Sequence, residues 1–203
     1  MGKSTNIKSL SKKEADREFV LDKAATLFRR NGFERTTVKE VAQACNMLPG
    51  SLHYRYSTKE ALLLDLMKLG LEKVTNEVFK AGLGHPNLED QAREYINAHL
   101  RVLVSETDMV YVLLFEWRSL EGDARKEMLQ LRDRYEQLWA TILSLLSEKG
   151  FIREDIDIHL LRLIGLGALN WVATWFKEDG EFTLEEVGNT IWKIISTGIV
   201  KKP

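Results

Sequence analysis

Residues 36–59, TTVKEVAQACNMLPGSLHYRYSTK, decide how the rest of the chain is read. Thr37 and Glu40 have the spacing of a capping box, in which the threonine oxygen accepts from the amide three residues on and the carboxylate accepts from the cap's own amide. The helix this opens, residues 38–45, is barely two turns long and buries Val41, Ala42 and Cys45. Asn46 suits the tight turn that follows, because its side chain tolerates the left-handed backbone region. Pro49 fits the first turn of the next helix, residues 49–56, where its missing amide proton has no helical partner in any case. That helix is too short to stand alone and must be held by tertiary packing. Leu52 and Tyr56, four apart, supply its buried face and leave Gly50, Ser51, His53, Tyr54 and Arg55 outward. Two short helices joined by a turn, the second with a polar outer face, form the pattern of a helix-turn-helix, whose second helix enters the DNA major groove.

The flanks read as longer helices. Residues 1–10 are polar and basic without period, an arm before the first helix. Ser11 and Glu14 have capping-box spacing at its start, Val20, Leu21, Ala24, Leu27 and Phe28 form its apolar face, and Asn31-Gly32 stops it. After the central stretch, Ser57 and Glu60 give a further capping box and a helix over residues 58–80, striped with Leu62, Leu66, Leu69 and Val74. This helix is read as the mechanical link between a head and a body. The body continues as helices over residues 88–104, 109–120, 124–149 (closed by Gly150), 156–176 and 184–200, the last opened by Thr183 and Glu186. The expected fold is all-α with about nine helices: an N-terminal helix-turn-helix three-helix domain, residues 1–60, joined to a larger helical ligand-binding and dimerisation domain, residues 61–203.

Bulk properties narrow the function classes. A hydrophobic fraction of 44% and a charged fraction of 29% are ordinary for a globular chain, which sets aside disorder and collagen-like repeats. The single cysteine, Cys45, cannot form an internal disulfide and reads as a small buried apolar residue. The N-terminus has no apolar signal region and no run approaches the ~18 apolar residues of a membrane span, so a cytoplasmic protein without a membrane partner is expected. Residues 1–60 hold 12 Lys+Arg against 7 Asp+Glu, while the remainder holds 17 against 23. A basic head on an acidic body is the asymmetry expected when one end meets a polyanion. The four histidines are scattered, no HExxH or CxxC spacing occurs, and no glycine-rich loop follows a strand. No catalytic residue, metal site or cofactor is therefore assigned, and the chain reads as a non-enzyme.

The stretch IDIHLLRLIGLGALNWVATWF, residues 156–176, is apolar around almost its whole circumference, which implies burial on most sides. Gly165, Gly167 and Ala168 would let another helix approach closely. With Val187, Ile191, Trp192, Ile194 and Ile195 of the last helix they make a candidate homodimer interface of four helices, the alternative being a core within one chain.

The stretch VLDKAATLFRRNGFERTTVKEVAQACNMLPGSLHYRYSTKEALLLDL resembles the N-terminal domain of TetR-family (tetracycline-repressor-like) bacterial transcriptional regulators, with each piece in order and the likeness covering about residues 11–66. The resemblance implies that Pro49, Gly50 and Ser51 approach base edges, that His53, Tyr54, Lys59 and Thr37 contact phosphates, and that Lys39 reaches a base or the backbone. His53 stands where tyrosine is more usual and Leu48 where a small polar residue is. The implied partner is a palindromic double-stranded DNA operator, read by the two heads of a homodimer at half-sites about 34–36 Å apart or a multiple of that.

The body segments YVLLFEWRSLEGDARKEM, LRDRYEQLW and LLRLIGLGALNWVATWFKEDGEFTLEE resemble regulators that sense acyl-CoA thioesters of fatty-acid or steroid-ring breakdown. This implies a repressor released by a small-molecule effector of that class. Trp117 and Arg118, with Arg162, Asn170, Trp171 and Trp175, pair aromatic residues with lone polar ones as an amphiphilic anion requires. The alternative for these residues is core filling, with Arg118 paired to Glu116 or Glu121. Two other functions stay open at this level: the same fold sensing a drug-like or other hydrophobic compound to control efflux, and a helical protein-interaction module that binds no DNA.

Overall fold

The computed structural model describes residues 12–83, 85 and 87–200. Its helices are α1 (Lys12–Asn31), α2 (Val38–Ala44), α3 (Pro49–Arg55), α4 (Lys59–Ala81), α5 (Leu88–Ser105), α6 (Thr107–Phe115), α7 (Gly122–Glu148), α8 (Ile158–Trp175) and α9 (Leu184–Ile199). A short 3-10 turn, Glu116–Ser119, follows α6. Among the described residues there is no strand, only an isolated antiparallel bridge between Ile152 and Val200 that ties the end of α9 to the α7–α8 connection. The all-α architecture and the order of elements agree with the sequence.

The head forms around side chains that α2 and α3 cannot bury alone. Phe28 of α1 meets Phe33 edge-on at 5.2 Å, and both are buried. Val41, Ala42 and Leu52 close on them, together with Leu62, Leu63 and Leu66 of α4. Each of the larger side chains, Ala42 aside, contributes about 1.5–3 kcal/mol when fully buried, enough to hold two helices too short for independent stability. Chain reversals are met as the residues demand: Gly32 ends α1 at φ +83°, and Asn46 turns between α2 and α3 at φ +53°. Burial pushes the Cys45 thiol pKa up, in keeping with an inert packed residue.

The Thr37–Glu40 and Thr183–Glu186 capping boxes both form. The Ser11–Glu14 box lies outside the described residues. The Ser57–Glu60 box does not form: Thr58 is the cap of α4, and its hydroxyl accepts from Ala61 N at 3.0 Å. Starting α4 one residue later sets Lys59 in the first turn, where its ammonium donates to the carbonyls of Phe33 at 2.8 Å and Glu34 at 3.0 Å. The helix expected over residues 109–120 begins earlier, at Thr107, and tightens into the 3-10 turn before its end. Helix α8 is not buried on most sides. Only Leu169 and Val172 are fully covered, and Leu160, Leu163, Ile164, Trp171 and Trp175 stand exposed.

Helix α4 is the shaft of the molecule, packing on α1 at its start and on α5, α6 and α7 further along. At Gly70 it passes so close to α6 that an added Cβ would stand 3.2 Å from Met109 Cγ.

Candidate functional sites: a DNA-reading surface and an effector cavity

The outward surface of α2 and α3 carries no apolar packing. Lys39, Pro49, Gly50, Ser51, His53 and Tyr54 are all exposed, Tyr54 at 96%. Packing of Tyr54 against α4 is thereby excluded. Thr37 is exposed but engaged, donating to the Glu40 carboxylate at 2.8 Å and accepting from Glu40 N at 3.2 Å. Those bonds from Thr37 hold the Glu40 carboxyl below its ordinary pKa. Lys59 clamps the α1–α2 connection as described and lies 4.2 Å above the Phe33 ring, with 19% of its side chain left to solvent. Leu48, at the start of α3, is 77% exposed with no side-chain cap bond.

One polar cluster ties this surface to the shaft. Arg17 of α1 forks onto Asp65 of α4 at 2.7 and 3.0 Å, and the Tyr56 hydroxyl, immediately after α3, donates to the same carboxylate at 2.6 Å. Burial alone would raise Asp65, but the bonds from Arg17 and Tyr56 outweigh it and hold the carboxyl below the usual range. Tyr56 is pushed well above its ordinary value, first by burial and then by Asp65. Further along, Lys73 pairs with Glu106 at 2.8 Å and with Glu18 of α1 at 3.7 Å. Arg29 of α1 meets Asp108 of α6 at 2.7 Å and lies over the Tyr111 ring at 5.3 Å.

Helices α4 to α8 enclose a mainly apolar cavity of about 300 Å³. Leu71 and Val74 of α4 line it, as do Val110, Leu113 and Leu114 on the face of α6 away from α1. Trp117 of the 3-10 turn stands at its wall, with three guanidinium groups around the indole: Arg118 at 4.8 Å, Arg132 at 5.2 Å and Arg125 at 5.4 Å. Arg118 and Arg125 are exposed and have no carboxylate partner among the described residues. Deeper in, buried His99 bonds to the Tyr135 hydroxyl through Nδ1 at 2.5 Å and to Asn170 Oδ1 through Nε2 at 3.0 Å. Burial drives the His99 pKa down to about 4, so the imidazole is neutral at neutral pH.

Comparison with known proteins places the chain. Residues 20–66 match the group described as bacterial regulatory proteins, tetR family, and residues 85–199 match the tetracyclin repressor-like C-terminal domain. The chain belongs to the tetR family. It is a DNA-binding transcriptional repressor and not an enzyme. The HTH-type transcriptional repressor KstR2 of Rhodococcus jostii (strain RHA1) is 27% identical over 195 residues, 93% of each chain. The crystal structure of the TetR family regulator PfmR from Thermus thermophilus matches with a TM-score of 0.79 at 30% identity, over 88% of this chain and 97% of that one. The structure of AibR in complex with isovaleryl coenzyme A and operator DNA matches at 0.77 and 25% identity, again over 88% and 97%.

Within this repressor the residues singled out from sequence fall into distinct places. Trp117 and Asn170 line the cavity, and Arg118 stacks on Trp117 instead of pairing with Glu116 or Glu121. Arg162 donates to Glu136 at 3.2 Å and to His159 at 3.2 Å, and it borders a second, smaller apolar pocket. Trp171 and Trp175 do not reach the cavity. Leu163, Leu166, Gly167 and Asn170 occupy the inward face of α8, and the helical period turns Trp171 and Trp175 away from it onto the exposed side with Ile164 and Ala168. Of the residues assigned to a dimer interface, Gly165 and Ala168 have no fully covering neighbours, and Ile191 and Ile195 are half-buried. Val187 and Trp192 point into the protomer, where Trp192 stacks with Phe151 at 6.3 Å, so they have almost no surface to offer a partner. Sequence reading missed Arg125, Arg132, His99 and Tyr135. The recurrence of arginine at 118, 125 and 132, seven apart, was a usable signal. Nothing local distinguished His99.

Among the described residues no helix is long and apolar enough to cross a membrane.

Proposed function

We propose that the repressor works in the cytoplasm as a homodimer on an inverted-repeat operator, and that an acyl-CoA thioester bound in the α4–α8 cavity releases it. In this reading residues 1–60 are the DNA-binding domain and residues 61–203 bind effector and partner. Lys39, Pro49, Gly50 and Ser51 face the bases, while Thr37, His53, Tyr54 and the remaining hydrogen of Lys59 face phosphates. The exposed stripe of α8, Leu160, Ile164, Ala168, Trp171 and Trp175, joined by Ile194 of α9, forms the dimer surface. A patch of this kind on a soluble domain marks an interaction site.

The observation that carries the effector assignment is the Trp117 cluster: three guanidiniums around one indole, at the wall of an apolar cavity. Arginine forks suit phosphate oxygens, an indole offers a stacking face to a base, and the cavity behind takes hydrocarbon. The same charges disfavour a cationic drug. The relative crystallised with isovaleryl coenzyme A and operator DNA supports the same class.

The route to the head runs through shared elements. Val110, Leu113 and Leu114 of α6 face the cavity, while Asp108 and Tyr111 of the same helix hold Arg29 of α1. Leu71 of α4 lies six residues from Asp65, about 9 Å along the shaft, so a ligand that shifts α4 also shifts the anchor of α3. Effector and operator then oppose one another through one equilibrium. The test is fluorescence anisotropy with a labelled palindrome selected from a random duplex library, titrated with decanoyl-CoA. Operator affinity falling at least tenfold, with free CoA inactive, supports the reading. Unchanged affinity at saturating acyl-CoA of every chain length refutes it.

A further inference from the structure

The polar groups that face the interior of the cavity are unequal in kind. His99 is neutral and carries one ring hydrogen. Asn170 Oδ1 accepts at Nε2, so that hydrogen is on Nε2, and Nδ1 accepts from the Tyr135 hydroxyl. The relay therefore runs one way, from Tyr135 through His99 to the Asn170 carbonyl oxygen, and its own hydrogens are used up. What it leaves over is the Asn170 amide nitrogen, on a cavity-lining residue and with no protein partner among the described residues. One more donor on the lining is buried and unmet. Arg132 Nε lies 3.5 Å from Glu136 without a hydrogen bond. Of the Glu136 carboxylate, Oε2 accepts from Arg162 at 3.2 Å and Oε1 pairs with Arg132 across 3.5 Å. At the His99 end of the lining the polar capacity left open is thus the Asn170 amide donor.

We infer that the inner wall of the cavity receives a carbonyl oxygen of the ligand, with the Asn170 amide nitrogen as the direct donor and His99 and Tyr135 as positioning residues. The ligand class is an apolar carbonyl compound, such as a thioester or ketone, whose interior oxygen accepts a hydrogen bond and brings no hydrogen of its own. The assignment rests on the acyl-CoA reading above and adds which atom of such a ligand is recognised.

The experiment compares two probes that differ at one group, decanoyl-CoA and its thioether S-decyl-CoA, by titration calorimetry on the dimeric protein. Wild type is expected to bind the thioester at least tenfold more tightly. Asn170→Leu, close in volume, removes that preference, with retained operator binding as the sign that the protein is folded. Tyr135→Phe, which leaves Asn170 in place but unfastens His99, weakens the preference without abolishing it. Equal binding of the two probes by wild type, or a preference that survives Asn170→Leu, overturns the assignment while the acyl-CoA reading stands. Binding of neither probe by protein that still holds its operator overturns both.

Discussion

Replacing Asp65 by Asn keeps the shape of the hub between α1, α3 and α4 and removes its charge. Three hydrogen bonds converge on that carboxylate, at 2.6, 2.7 and 3.0 Å. Bonds to a charged partner contribute about 1.5–3 kcal/mol each when dry. Here the Arg17 and Asp65 side chains are 32% and 24% exposed, so water compensates for part of the loss. We expect a net cost of about 2–3 kcal/mol, and at ~2–4 °C per kcal/mol for a chain of this length the melting temperature falls by about 5–10 °C. Tyr56→Phe alone should cost about 1 kcal/mol, and in the Asp65→Asn background less than about 0.5, because both act on one acceptor.

The pH dependence has a definite sign. The fold holds Asp65 below its ordinary pKa, so its contribution is present above the unfolded value of about 4 and is lost as pH falls through the lower folded value. The gap between wild type and Asp65→Asn is therefore constant at neutral pH and closes in acid. Because Tyr56 fixes the end of α3, operator affinity measured well below the melting temperature should also drop, about tenfold for each 1.4 kcal/mol of lost positioning. Calorimetric melting at fixed protomer concentration from pH 3 to 7, with anisotropy on operator DNA, reads both effects. An unchanged melting temperature, or a Tyr56→Phe effect that adds in full to Asp65→Asn, refutes the hub.

Other perturbations address the remaining surfaces. Trp171→Glu places a charge in the exposed stripe of α8 and should leave a 23.4 kDa monomer in sedimentation velocity, whereas a species of twice that mass would show that the dimer forms elsewhere. Arg118→Ala and Arg125→Ala should each raise the acyl-CoA concentration needed for operator release by about tenfold at low salt, with no change in operator affinity itself. Equal sensitivity to salt in wild type and both variants would argue against a phosphate site around Trp117. Leu48, exposed beside the residues proposed to face the bases, is suited to a thymine methyl. Replacing the contacted thymine by deoxyuridine should weaken wild-type binding about fourfold, the worth of one ~0.8 kcal/mol apolar group, and leave Leu48→Ala unaffected. A uracil effect of the same size in the variant would assign the methyl to another residue.

How far the molecule could be read in advance depended on how local the causes were. Capping at Thr37 and Thr183, the turn at Asn46 and the stop at Gly32 are decided within a few residues, and all formed as their sequence implies. Ser57 and Thr58 are both residue types that cap, and the fold uses Thr58, with Lys59 beside it docked on the Phe33 and Glu34 carbonyls. Residue type suggested which helices bear aromatic and polar ligand groups, but not which way each faces. Asn170 and Trp171 are neighbours in sequence and about 100° apart around α8, so one lines the cavity and the other is exposed. Apolarity around almost the whole of α8 implied burial on most sides, but the rest of the chain covers only part of it. His99, Tyr135 and Asn170 come from three helices and meet only in the fold, which is why no spacing announces them.

In the proposed mechanism effector and operator compete through one conformational equilibrium. Reciprocity tests it most directly: the dissociation constant of decanoyl-CoA measured calorimetrically for the free dimer and for the dimer saturated with its palindromic operator. If operator affinity falls tenfold with acyl-CoA bound, acyl-CoA affinity must fall by the same factor with operator bound. Equal acyl-CoA affinity in the two states would contradict the mechanism, and a tighter effector in the operator complex would reverse it.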